Sequence, residues 1–236
     1  MTRIEIKVLA TTAMKTAFEA LSPQFEHATG NRLVVALGPS LQLEQRLAEG
    51  EAADVAILAS SGANEMVARG KLIAASLVDI ARSSLGVAVP RGASKPDVSS
   101  VEAFRRTVLA AKSIAVSKPV GAGMSGVHMA KVFRDLGIAE EMAAKAKYGT
   151  GGPTGLVGFI VERGEAEIGV QQLAELMAVS GIDIVGPLPT QLQSITPFVA
   201  GIPTSASHAE EGRAVIDFLI TPAAKAVIKA KGLDPA

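Results

Sequence analysis

The strict succession of strand, loop and helix in the first seventy residues is the feature that most constrains the fold. Apolar and polar residues alternate over 4–8, which predicts a strand, and Thr11 and Thr12 follow as candidate caps of an amphipathic helix. The runs 33–37 and 54–58 predict two further strands, buried on both faces and each followed by a helix. Three such units in a row are typical of a parallel α/β sheet.

The same organisation continues along the rest of the chain. Further strands are predicted at 85–89, 113–116, 167–170 and 198–202, and the segment IDIV at 182–185 precedes a breaker run of glycine and proline at 186–189. Most of the segments between them have helical periodicity, including 127–136, 140–147, 208–219 and 222–231. The sequence therefore predicts an α/β protein throughout, with small polar residues where strands end, and open parallel sheets bind ligands at that edge.

Composition agrees with a packed interior and excludes two classes of chain. Hydrophobic residues make up 48% of the 236 residues and charged residues 19%, which is too apolar and too weakly charged for a disordered protein. No apolar run approaches the roughly 18–20 residues that a membrane-spanning helix needs. We therefore expect a soluble globular protein, of one large or two small domains, without membrane insertion.

Net charge and residue composition disfavour several classes of function. Basic and acidic residues number 23 each, so the basic excess of a nucleic-acid-binding protein is missing, and no nucleic acid is expected as a partner. Aromatic residues are 3% of the chain, which disfavours sites that stack bases or sugar rings. The chain has no cysteine, which excludes disulfides, thiolate catalysis and zinc–thiolate sites.

A glycine-rich loop at 121–126 reads GAGMSG and lies between a predicted strand and a predicted helix. This matches the dinucleotide pattern G-x-G-x-x-G, which also needs an acidic residue at the end of the next strand. Glu140 and Glu141 have roughly the right spacing but begin a helical segment. The alternatives are a flexible connection and a loop whose backbone N–H groups bind a small anion at a helix N-terminus.

Hydroxyl side chains recur where a strand gives way to a helix. Thr11 and Thr12, Ser40 after Pro39, and the Ser60–Ser61 pair all occupy this position. Each hydroxyl alone is consistent with an ordinary helix cap. Together with the glycine-rich loop, they favour a converging site for an anion.

Four other polar residues at strand ends are candidate ligand contacts. Arg82, followed by Ser84, lies just before a buried strand, where its guanidinium either clamps a carboxylate or is solvated. Gln171 and Gln172 end another strand, where their amides either donate to a ligand or cap a helix.

Neither the histidines nor any catalytic motif indicates a metal, a cofactor or a hydrolase. His27, His128 and His208 are far apart and lack the spacing of metal ligands. His128 lies close to the glycine-rich loop, which leaves a structural role and a proton-transfer role open. The nucleophile elbow and the phosphate-binding P-loop motif are both missing from the sequence, so serine hydrolases and nucleotide hydrolases are disfavoured.

Four segments resemble the type 2 periplasmic-binding-protein superfamily, and within it the molybdate-binding-protein-like group. They are VLATTAMK at 8–15, ADVAIL at 53–58, SGVH at 125–128 and GEAEIGVQQ at 164–172. The resemblance implies two α/β lobes, each a mostly parallel sheet flanked by helices, joined by a hinge of two strands. Lobe 1 would comprise 1–80 plus 191–236, lobe 2 would comprise 81–190, and the ligand would lie in the cleft between them.

The resemblance also implies which loops contact the ligand. The residues that match are Thr11, Thr12 and Ala13, then Pro39 and Ser40, then Ser125 and Gly126, and finally Gln171 and Gln172. The sequence departs from molybdate-binding proteins in its first two loops, which are poorer in serine, and in carrying Lys15 and Arg82. Two fixed cations suit a carboxylate better than a tetrahedral oxyanion.

Two functions follow from the resemblance. The leading one is a solute-binding protein for a small anion, either a polycarboxylate or a tetrahedral oxyanion, with an ABC-transporter permease as a candidate partner. The rival is an enzyme similar to aconitate isomerase, which moves a proton on a small tricarboxylate. In that case Lys15 and His128 are the candidate catalytic bases.

The N-terminal sequence bears on the compartment. MTRIEIKVLA leads directly into the first strand, with no basic segment and apolar stretch of about 7–15 residues before it. We therefore expect a cytoplasmic protein as the sequence stands, and a periplasmic one if a signal peptide has been removed.

Overall fold

The computed structural model describes residues 3–120 and 123–236, which form two compact units. Unit 1 is the chain up to Ser83 together with Thr196–Ala236, and unit 2 is Ser84–Ile195. The chain thus passes from one unit to the other twice. The lobe boundaries predicted after residues 80 and 190 fall a few residues before these crossings.

Unit 1 contains a six-stranded sheet in the order β11-β4-β10-β3-β1-β2. Its strands are β1 (Glu5–Thr11), β2 (Arg32–Gly38), β3 (Val55–Ala59), β4 (Val78–Ser83), β10 (Thr196–Gly201) and β11 (Asp234–Pro235). Strands β1 to β4 run in one direction, and β10 and β11 run in the opposite direction. The sheet is therefore mostly parallel, as predicted.

Helices cover both faces of this sheet. They are α1 (Lys15–Thr29), α2 (Ser40–Ala48), α3 (Ser60–Ala68), α9 (Ala209–Leu219) and α10 (Pro222–Ala230). A core cluster joins α2 and α3 to the sheet through Leu43, Met66 and Leu58. All five residues of β3 are buried, which explains the continuous apolar run in the sequence.

Unit 2 contains a five-stranded sheet in the order β7-β6-β8-β5-β9. Its strands are β5 (Leu85–Pro90), β6 (Ile114–Ser117), β7 (Ala146–Gly149), β8 (Ile168–Gln172) and β9 (Ile182–Pro187). Its helices are α4 (Val101–Ala110), α5 (Met124–Asp135), α6 (Ala139–Lys145), α7 (Val157–Glu162) and α8 (Leu173–Leu176). Only β5 runs against the other strands, so the prediction of a mostly parallel sheet is confirmed here too.

The strands β4, β7, β9 and the two-residue β11 were not among those predicted. β4 carries the exposed residues Asp79 and Arg82 between buried ones, which obscures its apolar pattern. β7 was predicted as the end of a helix over 140–147, but α6 ends at Lys145. This strand is at the edge of its sheet and has only one buried residue, so little apolar signal marks it.

Within the part of the chain that the structure describes, no helix has both the length and the apolar character that a membrane crossing requires.

Candidate functional site

The first candidate site is the edge of the unit 1 sheet where β1, β2 and β3 end. These strands are parallel, with Thr11 level with Gly38 and Ala10 level with Ile57. Their carboxyl ends therefore meet at one edge, and the three loops that follow lie there together. The first loop forms a short 3-10 helix, Thr12–Met14, in which Ala13 is buried.

Ser40 connects two of these loops. Its buried Oγ accepts a hydrogen bond of 3.2 Å from the backbone N–H of Ala59. α2 and α3 follow Pro39 and Ala59, and neither helix has a side-chain cap at its N-terminus. The hydroxyls of this edge are therefore not ordinary caps. Within the described residues these N-termini have no side-chain cap, and the helix dipole there favours a negative partner.

Thr12 carries the clearest sign of a missing partner. Its side chain is 2% exposed, and its Oγ1 has no hydrogen-bond partner among the described residues. Oγ1 of Thr16, one helical turn further on, is in the same condition. Leaving a buried hydroxyl unsatisfied costs about 1–3 kcal/mol, so two in one turn indicate a surface that binds a polar group.

Lys15, predicted as a ligand contact and as a candidate base, has an acidic partner in the structure. Its Nζ donates to Oε1 of Glu19 at 2.7 Å, and its side chain is 26% exposed. The two side chains form an i,i+4 ion pair on the surface of α1. Lys15 remains close to Thr12 in sequence, at the start of the helix.

Arg82, predicted as a candidate clamp for a carboxylate, has an exposed side chain. It lies inside β4, exposed, between Pro197 of β10 and Asp234 of β11 in the sheet register. Among the described residues it makes no ion pair. Ser84, the first residue of unit 2, is half-buried, and its carbonyl accepts from the N–H of Leu173 at the start of α8.

The second candidate site is the corresponding edge of the unit 2 sheet, where β6, β7 and β8 end. Ser125 and Ser117 are both buried, and their hydroxyl oxygens are 3.0 Å apart. A side chain at Gly126 would place its Cβ 2.2 Å from the carbonyl oxygen of Lys118. Only glycine lets α5 approach the loop after β6 so closely, so this part of the loop is packed rather than a flexible connection.

The first two residues of the glycine-rich loop, Gly121 and Ala122, lie outside the described residues. The dinucleotide interpretation is wrong, because Glu140 and Glu141 lie in the first turn of α6 and not at the end of a strand.

The two adjacent glutamines have different surroundings. Oε1 of Gln171 accepts from the backbone N–H of Val157, and its side chain also hydrogen-bonds the carboxyl of Glu175. Gln172 is 7% exposed, does not cap α8, and its Oε1 has no partner within the described parts of the chain. Gln171 therefore links α7 and α8 through hydrogen bonds, whereas Oε1 of Gln172 is available, among the described residues, to accept a hydrogen bond from a ligand.

His128 has a structural contact. Its Nε2 lies 2.8 Å from the carbonyl oxygen of Leu192, and because a carbonyl only accepts, Nε2 is the protonated nitrogen. The contact fixes α5 against the short 3-10 helix Thr190–Leu192. This geometry favours the structural interpretation of His128 over a role as a base.

Sequence reasoning missed two parts of this second edge. The loop 150–156 follows β7 and lies there because β7 is parallel to β6. It is tightly turned, since a Cβ at Gly155 would lie 2.3 Å from the carbonyl oxygen of Gly151, and its Gly-Gly-Pro run is the signal in the sequence.

The other part is Glu175. Burial raises the pKa of its carboxyl to about 7, although a hydrogen bond from Gln171 acts in the opposite direction. Nothing in the sequence pattern marked it.

Two α/β units, each with hydrogen-bonding groups at the carboxyl edge of a mostly parallel sheet, define a type 2 periplasmic-binding-protein fold. Residues 6–234 match the family model described as bacterial extracellular solute-binding protein. The chain belongs to this family, and the predicted resemblance is confirmed.

One relative is similar over nearly the whole sequence. The chain is 36% identical over 235 residues to a Pseudomonas sp. protein named aconitate isomerase, in a match that covers 98% of this chain and 87% of that protein.

Solved structures of low sequence identity share the fold. The periplasmic molybdate-binding protein of Azotobacter vinelandii has a TM-score of 0.76 and 21% identity, with 97% of this chain and 98% of that chain covered. A sulfate-binding protein of Mycobacterium tuberculosis has a TM-score of 0.77 and 15% identity, with 99% of this chain and 88% of that chain covered. A tungstate-binding protein of Desulfovibrio alaskensis has a TM-score of 0.65 and 12% identity, with 99% of each chain covered. At these identities the likeness establishes the architecture alone.

Proposed function

We propose that the protein binds a small anion, and that the ligand is a polycarboxylate. The observation that carries this proposal is the buried, unpartnered Oγ1 of Thr12 at the edge where three parallel strands end. Oγ1 of Thr16 also lacks a partner among the described residues, and no side-chain cap is found at the N-termini of α2 and α3 on the same edge. Hydroxyls and helix N–H groups together donate to a negative ligand and satisfy its lone pairs.

The second edge supplies a complementary set of groups. Gln172 carries an amide with an unpartnered Oε1, so its orientation is free to adapt to a ligand that accepts or donates. The Ser117–Ser125 pair lies at the same edge, beside the closely packed Gly126.

A polycarboxylate is favoured over a tetrahedral oxyanion by two observations. The relative with 36% identity is named for an enzyme of aconitate, a tricarboxylate, whereas the molybdate, sulfate and tungstate-binding proteins are at most 21% identical. In addition, the start of α1 places the cation of Lys15 in the same turn as Thr12 and Thr16. An ammonium that exchanges Glu19 for a ligand carboxylate would keep its charge paired.

Replacing Thr12 with valine should separate binding from stability. Valine has the same shape but no hydroxyl, so it removes an unsatisfied buried group, and we expect the free energy of unfolding to rise by about 1 kcal/mol. Binding of trans-aconitate should weaken about tenfold, because one hydrogen bond to a charged ligand is lost. Titration calorimetry and thermal unfolding of the same samples measure both quantities.

Thr29→Val is the matched control for this experiment. Thr29 lies at the other end of α1, and its Oγ1 donates to the carbonyl of Phe25 at 2.9 Å. This variant should lose stability and keep its affinity. Unchanged affinity in Thr12→Val would remove Thr12 from the site.

Stabilisation of the wild type by molybdate and tungstate but not by tricarboxylates would overturn the choice of ligand.

The second candidate function is isomerisation of a tricarboxylate, and the 36% identity to an aconitate isomerase favours it. Moving a proton between carbon atoms needs a group that both accepts and releases it near neutral pH. Glu175, with its pKa near 7, fits that requirement better than Lys15, which is ion-paired, or His128, whose Nε2 is engaged.

Proton NMR of trans-aconitate incubated with the protein distinguishes the two functions. An isomerase converts it to the cis isomer catalytically, and conversion should fall when Glu175 is replaced by glutamine. A receptor returns its ligand unchanged, and a permease of an ABC transporter would then be its partner. Bound but unconverted ligand in the wild type would exclude the isomerase.

A further inference from the structure

Unit 2 contains a pocket of about 240 Å³ that shares Gly126 with the second candidate site but is not lined by its hydrogen-bonding side chains Ser117, Ser125 and Gln172. It lies along α5 from Gly126 to Arg134, with α6 and the edge strand β7 as its other walls. A single water needs only roughly 10–15 Å³ on this scale, and an apolar cavity of about 150 Å³ is known to bind benzene. The space therefore fits a ring or a short aliphatic chain.

The walls are apolar for a reason that the sheet register explains. Val116 of β6 is level with Tyr148 of β7, so both side chains point to the face that α5 and α6 cover. Phe133 and Met142, which belong to the core of unit 2, line the same space. Burying an apolar body against these side chains is favourable in proportion to the area removed from water.

One charge borders this apolar space. Arg134, in the last turn of α5, lines the pocket and is exposed. It makes no ion pair with any residue that the structure describes. The neighbouring cation, Lys131, is paired with Asp135 and does not line the pocket. A guanidinium without an acidic partner beside an apolar pocket is complementary to a carboxylate with an apolar body.

We infer that this pocket is a binding site for a small apolar monocarboxylate, with the ring or chain between α5, α6 and β7 and the carboxylate on Arg134. The site is separate from the polar edge proposed for the polycarboxylate. It differs from that edge in chemistry, because its walls supply apolar contact and one cation rather than hydroxyl and N–H donors.

Tyrosine fluorescence can measure binding in this pocket. Tyr148 is the single tyrosine, and the chain has no tryptophan, so intrinsic ultraviolet fluorescence reports on this pocket. Cyclohexanecarboxylate is a suitable probe because it does not absorb where tyrosine does. We expect a saturable change in fluorescence with the probe, and about tenfold weaker binding of the uncharged analogue cyclohexylmethanol.

Three variants test the assignment. Arg134→Gln should weaken binding of the carboxylate about tenfold and leave binding of the alcohol unchanged. Ala130 of α5 also lines the pocket, so Ala130→Leu fills the space with a good helix former and should abolish binding of both compounds. Lys131→Gln is the matched control and should change neither. Thermal unfolding checks that each variant is folded.

Separate outcomes would overturn the proposal. Absence of a saturable fluorescence change would show that the pocket does not bind the probe. Equal affinity of the carboxylate for Arg134→Gln and wild type would show that Arg134 does not bind the carboxylate. Displacement of the probe by saturating trans-aconitate would show that the pocket is not a separate site. This last result would leave the proposed polycarboxylate site intact, so the two proposals fail independently.

Discussion

Replacing Asp54 with alanine is expected to lower the free energy of unfolding by about 2–4 kcal/mol, the largest effect of any single change considered for unit 1. Asp54 is 3% exposed and lies directly before β3. Its Oδ2 accepts from the N–H of Lys7 at 2.9 Å, and its Oδ1 accepts from the N–H groups of Ser207 and His208 at 3.1 and 2.9 Å. One carboxylate thus joins β1 to the start of α9.

Alanine at position 54 would leave these three donors without their acceptor. The negative charge at the N-terminus of α9, which the helix dipole stabilises, would be lost as well. For a chain of this size the expected decrease in the melting temperature is roughly 5–10 °C. Thermal unfolding measures it, and hydrogen exchange at the Lys7 amide should become faster.

Asp79→Ala is the matched control, because Asp79 is an exposed carboxylate in the same unit. Its effect should stay within about 0.5 kcal/mol. Asp54→Asn should have an intermediate effect, since one acceptor oxygen remains while the amide nitrogen faces a backbone donor. Equal stability of Asp54→Ala and Asp79→Ala would contradict the structural role of Asp54.

The alternation of strands and helices could be predicted because the buried strands carry unbroken apolar runs. β3 is buried at every position, and its sequence shows nothing but apolar residues from Val55 to Ala59. β4 and β7 escaped prediction for the opposite reason. Their exposed residues break the apolar pattern, and only pairing with neighbouring strands makes them strands.

The candidate site could be predicted as a set of loops but not as a set of contacts. Thr12, Ser40 and Gln172 were expected at strand ends from their positions in the sequence alone, and the structure places them there. That Lys15 is paired with Glu19, and that Arg82 is an exposed residue of a strand, depends on side-chain geometry that spacing does not encode.

Glu175 is the clearest case of a group that only tertiary structure reveals. Its sequence context, LAELM, reads as an ordinary amphipathic segment. In the fold, α8 places it beside the buried Gln171 and the core of unit 2, and burial raises the pKa of its carboxyl from 4.5 to about 7. Ionising this group above neutral pH therefore costs free energy in the folded state.

Replacing Glu175 with glutamine is expected to make the protein more stable above pH 7 but not below pH 4.5. The folded pKa is higher than the unfolded one, so the folded state holds the proton more tightly between these values. The stability that this proton contributes is fully present below pH 4.5 and is lost as the pH rises through 7. The wild type should lose about 3 kcal/mol over this interval from this group, and the variant should not.

Glutamine is the appropriate substitution because it keeps an amide oxygen that can accept from Gln171 while it cannot ionise. Denaturant unfolding at pH 5, 6, 7 and 8 gives the difference in free energy between variant and wild type, which should increase with pH. Glu141→Gln, an exposed carboxylate of α6 in the same unit, should show a difference that does not vary with pH. A pH-independent difference for Glu175→Gln would mean that the carboxyl titrates normally, and it would also remove Glu175 as the candidate acid–base group of an isomerase.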